Sequence, residues 1–422
     1  MKKIYILLSL VTILGCQKEF PNPPDYSNEL QVELQEKWKY EVPDGELVFW
    51  SGADEDKVVF LSRTDADITS YAFDHTGQLL NKYVYTGVVN AKHYLGYHVK
   101  SMKGDWIQHS TLGRTSLFNV STGLFYDYLE DNEYIRDSIT SHFLASKGIC
   151  YYQKLDNQSN LLVYQLNLAT NTSIIYDTLE QKHDDFLTNY HCIGEFKNPT
   201  NARDGAYTLI FNKLSYERFN SVWRVSIVGL ALDEVGRKDQ WVADNLFFTS
   251  AFIRPPKKYI IEGRYLYAFQ DNMLQCVDIL SRKLNWEKLF SNGSSSNLAM
   301  VDNNLVLTEG EKNTMVLNKN TGATIWSKGY GYYPYQIAAS QDYVSLISYR
   351  EYGDGWDYAT QLHVIDIRNG RELVRTHNPI NPDGEIAKDE LDGGLCKSVS
   401  NKGNTLYCAN KEYFMGLEVV EK

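Results

Sequence analysis

Apolar and polar residues alternate along most of this chain in short runs, and the runs come in pairs joined by a brief polar turn. Met315-Val316-Leu317, then Asn318-Lys319-Asn320-Thr321-Gly322, then Ala323-Thr324-Ile325-Trp326 is the clearest case. A period of two marks strands, and a tight turn between two such runs marks a β-hairpin. Residues that close such turns recur at Gly77, Gly123, Asn171, Gly236, Gly322 and Gly370. Three of their five steps are 46 to 48 residues, a recurrence near fifty that is the signature of a tandem repeat.

Read as strand, loop, strand, turn and strand, the chain divides into eight units. Second strands are expected to begin near Val58, Trp106, Ile149, Tyr207, Tyr265, Leu305, Val344 and Leu406. Third strands are expected near Thr69 to Phe73, Thr115 to Asn119, Leu161 to Leu166, Val222 to Ile227, Met273 to Ile279, Thr314 to Asn318, Gln361 to Asp366 and Phe414 to Val420. The first strand of each unit is the least marked. The eighth unit stops after its third strand, whereas residues 36–42 read as a lone fourth strand around Trp38. Pairing these two ends closes a ring and removes its open edge. The expected fold is therefore an all-β, eight-bladed β-propeller whose last blade is completed by the N-terminal strand. Seven blades is the competing count, because the fourth unit is long and irregular. Trp38, Trp241, Trp286 and Trp326 fall on outer strands, where a large aromatic side chain is expected to pack between neighbouring blades.

These units resemble the PQQ-like, or quinoprotein-type, β-propeller repeat, in which an Asp or Asn ends a strand, a Thr-Gly turn follows and a Trp lies on the next strand. Asn318 to Trp326 matches best. Asp74 to Gly77, Asn119 to Gly123 and Asp366 to Gly370 match at the turn but lack the Trp, and Asp278 to Trp286 has Lys283 where glycine is expected. The resemblance runs over residues 36–422.

Lys2 and Lys3, the apolar stretch Ile4 to Leu14, and Gly15 before Cys16 form an export signal over residues 1–15. The apolar run is shorter than the roughly 20 residues of a spanning helix. Ile13-Leu14-Gly15-Cys16 resembles the bacterial lipoprotein signal, which implies lipidation of Cys16. Residues 16–34, with Pro21, Pro23 and Pro24, suit a tether, and 35–422 a single propeller domain. Gln17-Lys18-Glu19 resembles, faintly, a tag for surface display. The address this implies is the outer membrane, on its periplasmic face or at the cell surface.

The chain carries a formal charge of -11. Nucleic-acid affinity rests on clustered Lys and Arg, so a nucleic-acid partner is not expected. Beyond Cys16 the cysteines are Cys150, Cys192, Cys276, Cys396 and Cys408, an odd set at irregular spacing. Cys396 and Cys408 flank the turn at 401–404 and form a candidate disulfide, with buried free thiols as the alternative. Quinone-dependent propeller enzymes would need an adjacent cysteine pair or a haem segment, and neither is present. There is also no metal-binding histidine motif and no nucleophile elbow; His93 and His98 are the closest histidine pair. No enzyme activity, cofactor or metal is expected. The acidic stretches at Asp354 to Asp357 and Asp383 to Asp392 fit no Ca²⁺-loop template and read as solvated loops.

Strand direction alternates within a blade, so loops joining second to third strands share a rim with the connections between blades. Two aromatic segments should meet on that rim. They are the connection containing Tyr330, Tyr332, Tyr333 and Tyr335, and the hairpin loop Tyr349 to Tyr358, which includes Tyr352 and Trp356. A third loop, Ser215 to Asn220 with Tyr216 and Phe219, should lie across the ring. Aromatic side chains on loops dominate interaction hot spots, which makes this rim the candidate site for a protein or glycan partner; local packing on their own blade is the alternative. In combining a lipobox, a tether and a PQQ-like ring, the chain resembles the propeller lipoprotein of the outer-membrane β-barrel assembly machinery. That likeness implies a membrane-anchored scaffold.

Overall fold

The computed structural model describes residues 32–64, 67–86, 98–111, 114–129, 143–144, 148–155, 161–179, 186–197, 207–217, 222–232, 238–247, 258–270, 272–290, 297–309, 313–329, 333–352, 357–375, 398–409 and 412–421. Within 186–247 it describes the backbone path only. Among the described residues all regular structure is β-strand apart from a short helical turn at Gly148, and the strands make eight separate four-stranded antiparallel sheets.

The first sheet is Leu47–Ala53, Val58–Arg63, Ile68–Phe73 and Leu79–Tyr85. The second is His98–Lys103, Trp106–Thr111, Arg114–Asn119 and Phe125–Leu129. The third is Phe143–Leu144, Ile149–Leu155, Leu161–Asn167 and Thr172–Leu179. The fourth has the longest strands, Phe186–Lys197, Tyr207–Glu217, Val222–Leu232 and Lys238–Phe247. The fifth is Lys258–Glu262, Tyr265–Gln270, Met273–Asp278 and Lys283–Leu289. The sixth is Leu298–Val301, Asn304–Glu309, Asn313–Asn318 and Thr324–Gly329. The seventh is Tyr333–Ala339, Tyr343–Tyr352, Asp357–Asp366 and Glu372–Arg375. The eighth joins Ser398–Lys402, Thr405–Ala409 and Tyr413–Glu421 to Val32–Glu41, which lies outermost beside Tyr413–Glu421.

From the second sheet to the eighth, each touches the next through its inner strands, and the eighth touches the first in the same way. The first and second sheets meet through a buried cluster that includes Val59, Leu61, Ile68, Ile107 and Phe118. The chain is thus an all-β propeller with its core between successive sheets. The expected second and third strands all form, most within a residue or two of their expected ends.

Four expectations need correction. The closing strand begins at Val32, not residue 36, so ordered pairing starts inside the segment assigned to the tether. Its polar residues hid an alternation in which Val32 and Leu34 pack against Leu362, Val364 and Val419. The turn position given to Lys283 belongs to Arg282, which adopts the left-handed backbone (φ 59) that glycine supplies elsewhere. The aromatic hairpin segments are partly strand, because Tyr349–Tyr352, Asp357–Tyr358 and Ser215–Glu217 continue the ladders. Finally, Val399, not Cys396, stands across from Cys408. The turn at Gly403-Asn404 is tighter than the one assumed, and Cys408 is a buried free thiol.

Candidate functional site

The propeller has two rims, and they differ in construction. One carries the turns from first to second and from third to fourth strands. On it, an Asp or Asn side chain accepts backbone N–H groups two and three residues ahead: Asn318 Oδ1 from Asn320 and Thr321, Asp278 Oδ1 from Leu280 and Ser281, Asn119 Oδ1 from Ser121 and Thr122. These side chains mimic a backbone turn, which is why Asx recurs there. Each turn is then tied to its neighbour on the same sheet, as in Ile279 N to Arg264 O (2.8 Å), Lys319 N to Asn303 O (2.9 Å) and Ile367 N to Asp342 O (3.1 Å).

This rim also locks adjacent sheets together. The Trp286 ring of the fifth sheet lies over Gly322 of the sixth, and its Nε1 donates to Lys319 O at 2.9 Å. Trp326 repeats the contact on Gly370, donating to Ile367 O at 2.7 Å. Where the sequence lacks Trp, tyrosine substitutes: Tyr83 lies on Gly123 and donates to Ser121 O, and Tyr126 donates to Leu168 O. Ion pairs join the same seams, Lys57 to Asp105 at 2.7 Å and Lys319 to Glu262 at 2.7 Å. Despite the burial that opposes it, hydrogen bonding and the charge of Lys57 hold the Asp105 carboxyl below its ordinary range.

The closing seam is built differently. Trp38 stacks on Phe73 and lies over Gly77, within a cluster of rings from Tyr40, Phe60, Tyr71, Tyr407 and Phe414. Its Nε1 is buried without an acceptor among the described residues. From Asp74 to Gly77 the turn is one residue shorter than from Asn318 to Gly322, so the following carbonyl is not presented as it is to Trp286. Other groups secure the turn: His75 Nδ1 pairs with Tyr407 Oη at 2.7 Å, and Glu55 O lies 3.1 Å from His75 Nε2 and accepts from Lys402 Nζ. Burial pushes the Tyr407 phenol up to about 12; a bond to Thr405 opposes this and the charge of Asp74 adds to it.

Toward the opposite rim, Glu46 receives Ser62 Oγ and the Tyr71 hydroxyl, the latter at 2.8 Å from each carboxylate oxygen. Burial, then the hydrogen bond and charge of Glu46, hold the Tyr71 phenol far above its usual range. In the seventh sheet, fully buried His363 donates from Nδ1 to Glu372 Oε1 at 2.5 Å, and Arg375 binds the same carboxylate through two nitrogens. Both arrangements pair donor with acceptor inside the core, as buried polar groups require.

The second rim holds the connections between sheets and the second-to-third hairpins. The backbone places Tyr333 and Tyr335 in the first strand of the seventh sheet and Tyr352 at the end of its second strand, three residues beyond the Tyr349 that pairs with Tyr333. Tyr216 lies near the end of the second strand of the fourth sheet, three sheets away. Tyr330, Tyr332, Trp356 and Phe219 lie outside the described residues, as do Cys16, Cys396, His93, Gly236 and all but Asp357 of the two acidic stretches. Among the described residues, no group of three His, Cys, Asp or Glu side chains is arranged to hold a metal ion. Sequence reasoning did not single out Glu46, His75 or the His363, Glu372 and Arg375 group, because each is assembled from separate strands or turns. The carbonyl-capping role of the outer-strand aromatics was signalled by the recurring Trp alone.

No family model matches the chain, and the curated proteins give no match. Among solved structures, the computationally designed Ika8 protein is similar at a TM-score of 0.51 and 15% identity, over 89% of this chain and 97% of that one. BamB from Moraxella catarrhalis is similar at a TM-score of 0.52 and 11% identity, over 92% of this chain and 100% of that one. At such identities the likeness concerns the fold alone.

Proposed function

We propose that this chain is a non-enzymatic, lipid-anchored scaffold of the cell envelope: a ring of eight blades, one per four-stranded sheet, held at the outer membrane through Cys16. The observation that carries this reading is the closing strand. Val32–Glu41 follows directly on the tether and is paired from end to end with Tyr413–Glu421, so the anchor pulls on a strand built into the ring. Seams tied by aromatic rings, ion pairs and capped turns make a stiff platform suited to holding other molecules. The fold shared with BamB and the resemblance to the propeller lipoprotein of the barrel-assembly machinery support a role in outer-membrane protein assembly. Mild crosslinking in cells followed by capture of the chain tests it; recovery of no barrel-assembly component removes that role.

A second reading is favoured by the backbone placement of Tyr333, Tyr335 and Tyr352 in one sheet on the connection rim. In it the protein is a surface or periplasmic module that stacks a glycan or extended peptide on those rings. Glycan and peptide arrays with residues 32–422 decide it. Signals unchanged by Tyr333→Ala, Tyr335→Ala and Tyr352→Ala together would eliminate this patch.

A further inference from the structure

We infer that the rim of tight hairpin turns faces the lipid bilayer and that the connection rim points away from it, toward whatever the protein binds. The inference rests on the reading of Cys16 as a lipid anchor and adds a direction to it. In the sixth sheet the outer strand Thr324–Gly329 leaves the Gly322 turn and ends on the connection rim. Within the eighth sheet Tyr413–Glu421 is the third strand and ends on the turn rim, where Val419 N binds Asn404 O in the turn at Gly403-Asn404. The closing strand pairs antiparallel to it, Val32 opposite Glu421 and Glu41 opposite Tyr413. Val32 therefore stands on the turn rim and Glu41 on the connection rim, so the tether joins the ring on the turn side.

Reach then decides which rim the anchor favours. From Cys16 to Val32 the chain has about 16 steps, at most ~50 Å when extended, and about 20–24 Å root-mean-square as a flexible coil. To bring the connection rim to the bilayer, the tether must first run back past the closing strand, whose 10 residues cover about 33 Å. A coil is exhausted before it gets there, and a fully extended tether retains only about 20 Å. With the turn rim facing the membrane, no backtracking is needed.

The experiment uses the lipidated full chain in phosphatidylethanolamine and phosphatidylglycerol vesicles doped with a nitroxide lipid. An azide-bearing amino acid carrying a dye is placed in turn at Asn320 or Asn369 on the turn rim and at Asp44 or Lys328 on the other, all exposed positions. Quenching at Asn320 and Asn369 is expected to be at least threefold that at Asp44 and Lys328; equal or reversed quenching overturns the orientation. Cys16→Ser is run beside it and should release the chain from vesicles. If that variant stays bound, the anchor reading falls and takes the orientation with it. If it is released while the two rims quench alike, the anchor stands and the orientation alone is refuted.

Discussion

The indole of Trp326 lies flat against Gly370 of the following sheet, with ring atoms 2.7 Å from the point a β-carbon would occupy, while its Nε1 donates to Ile367 O across the same seam. One side chain thereby joins two sheets by contact and by hydrogen bond, and it needs the turn residue to be glycine on two grounds. Gly370 has φ 71, a region that L side chains avoid, and the space above it is filled.

Those two grounds separate experimentally. Gly403 has φ 55 with nothing near its missing side chain, so Gly403→Ala incurs backbone strain alone, about 1 kcal/mol. Gly370→Ala adds displacement of a buried ring and should destabilise by about 3–4 kcal/mol, with strain and overpacking summed. Urea denaturation of both variants checks the difference. Equal costs would mean that the Trp326 contact contributes nothing.

Trp38 and Trp326 offer a matched pair, since they are 9% and 7% exposed and both sit on a turn glycine. Replacement of either by Phe removes similar apolar area. Only Trp326→Phe removes a hydrogen bond and strands a carbonyl, whereas Trp38→Phe removes a buried N–H that has no acceptor among the described residues. Trp326→Phe should therefore cost about 1–3 kcal/mol more than Trp38→Phe, measured as the difference in unfolding free energy. Equal losses would place an unseen acceptor on Trp38.

Much of this architecture was legible in the alternation of apolar residues and the turn glycines, because both signals are local. Val58, Trp106, Ile149, Tyr207 and Tyr265 open second strands as the pattern predicts. Even closure by the N-terminal strand could be read, since the eighth unit lacked one strand and Trp38 stood in a spare one. What escaped was set by register. Val32 and Leu34 count as core only once their partners across the sheet are known, and the pairing of Cys408 depends on the length of one turn. Arg282 in a glycine position shows that a hydrogen-bonded Asp278 turn can hold an ordinary side chain in a left-handed conformation. The aromatic rim segments continue as strand past the expected loop boundaries, because tyrosine-rich stretches also extend strands.

Glu46 bridges three donors from the first sheet: Ser62, Tyr71 and, at 4.0 Å, Lys82, whose ammonium also stands over the Tyr71 ring. Glu46→Ala leaves two buried hydroxyls without their acceptor and is expected to cost about 2–4 kcal/mol. A cycle of Glu46→Gln with Tyr71→Phe should give a coupling of about 1–2 kcal/mol. Additive losses would show that the two side chains are close without acting together.

Acid sensitivity should be visible at Glu372. Burial alone would raise its carboxyl above the ordinary 4.5, yet hydrogen bonds and charge from His363 and Arg375 outweigh burial and bring it below that value. A carboxylate whose folded value is depressed stabilises the fold above its unfolded value and loses that contribution as pH falls through the folded one. Glu372→Gln should therefore cost about 2–3 kcal/mol at pH 6, where the native carboxylate is charged and accepts from both partners. As pH falls through the depressed folded value the wild-type carboxyl takes up its proton, and the gap between the two proteins should narrow. Denaturant titrations of both proteins at pH 6, 4.5 and 3 measure the gap, and a constant difference across that range would rule out a depressed Glu372 as its source.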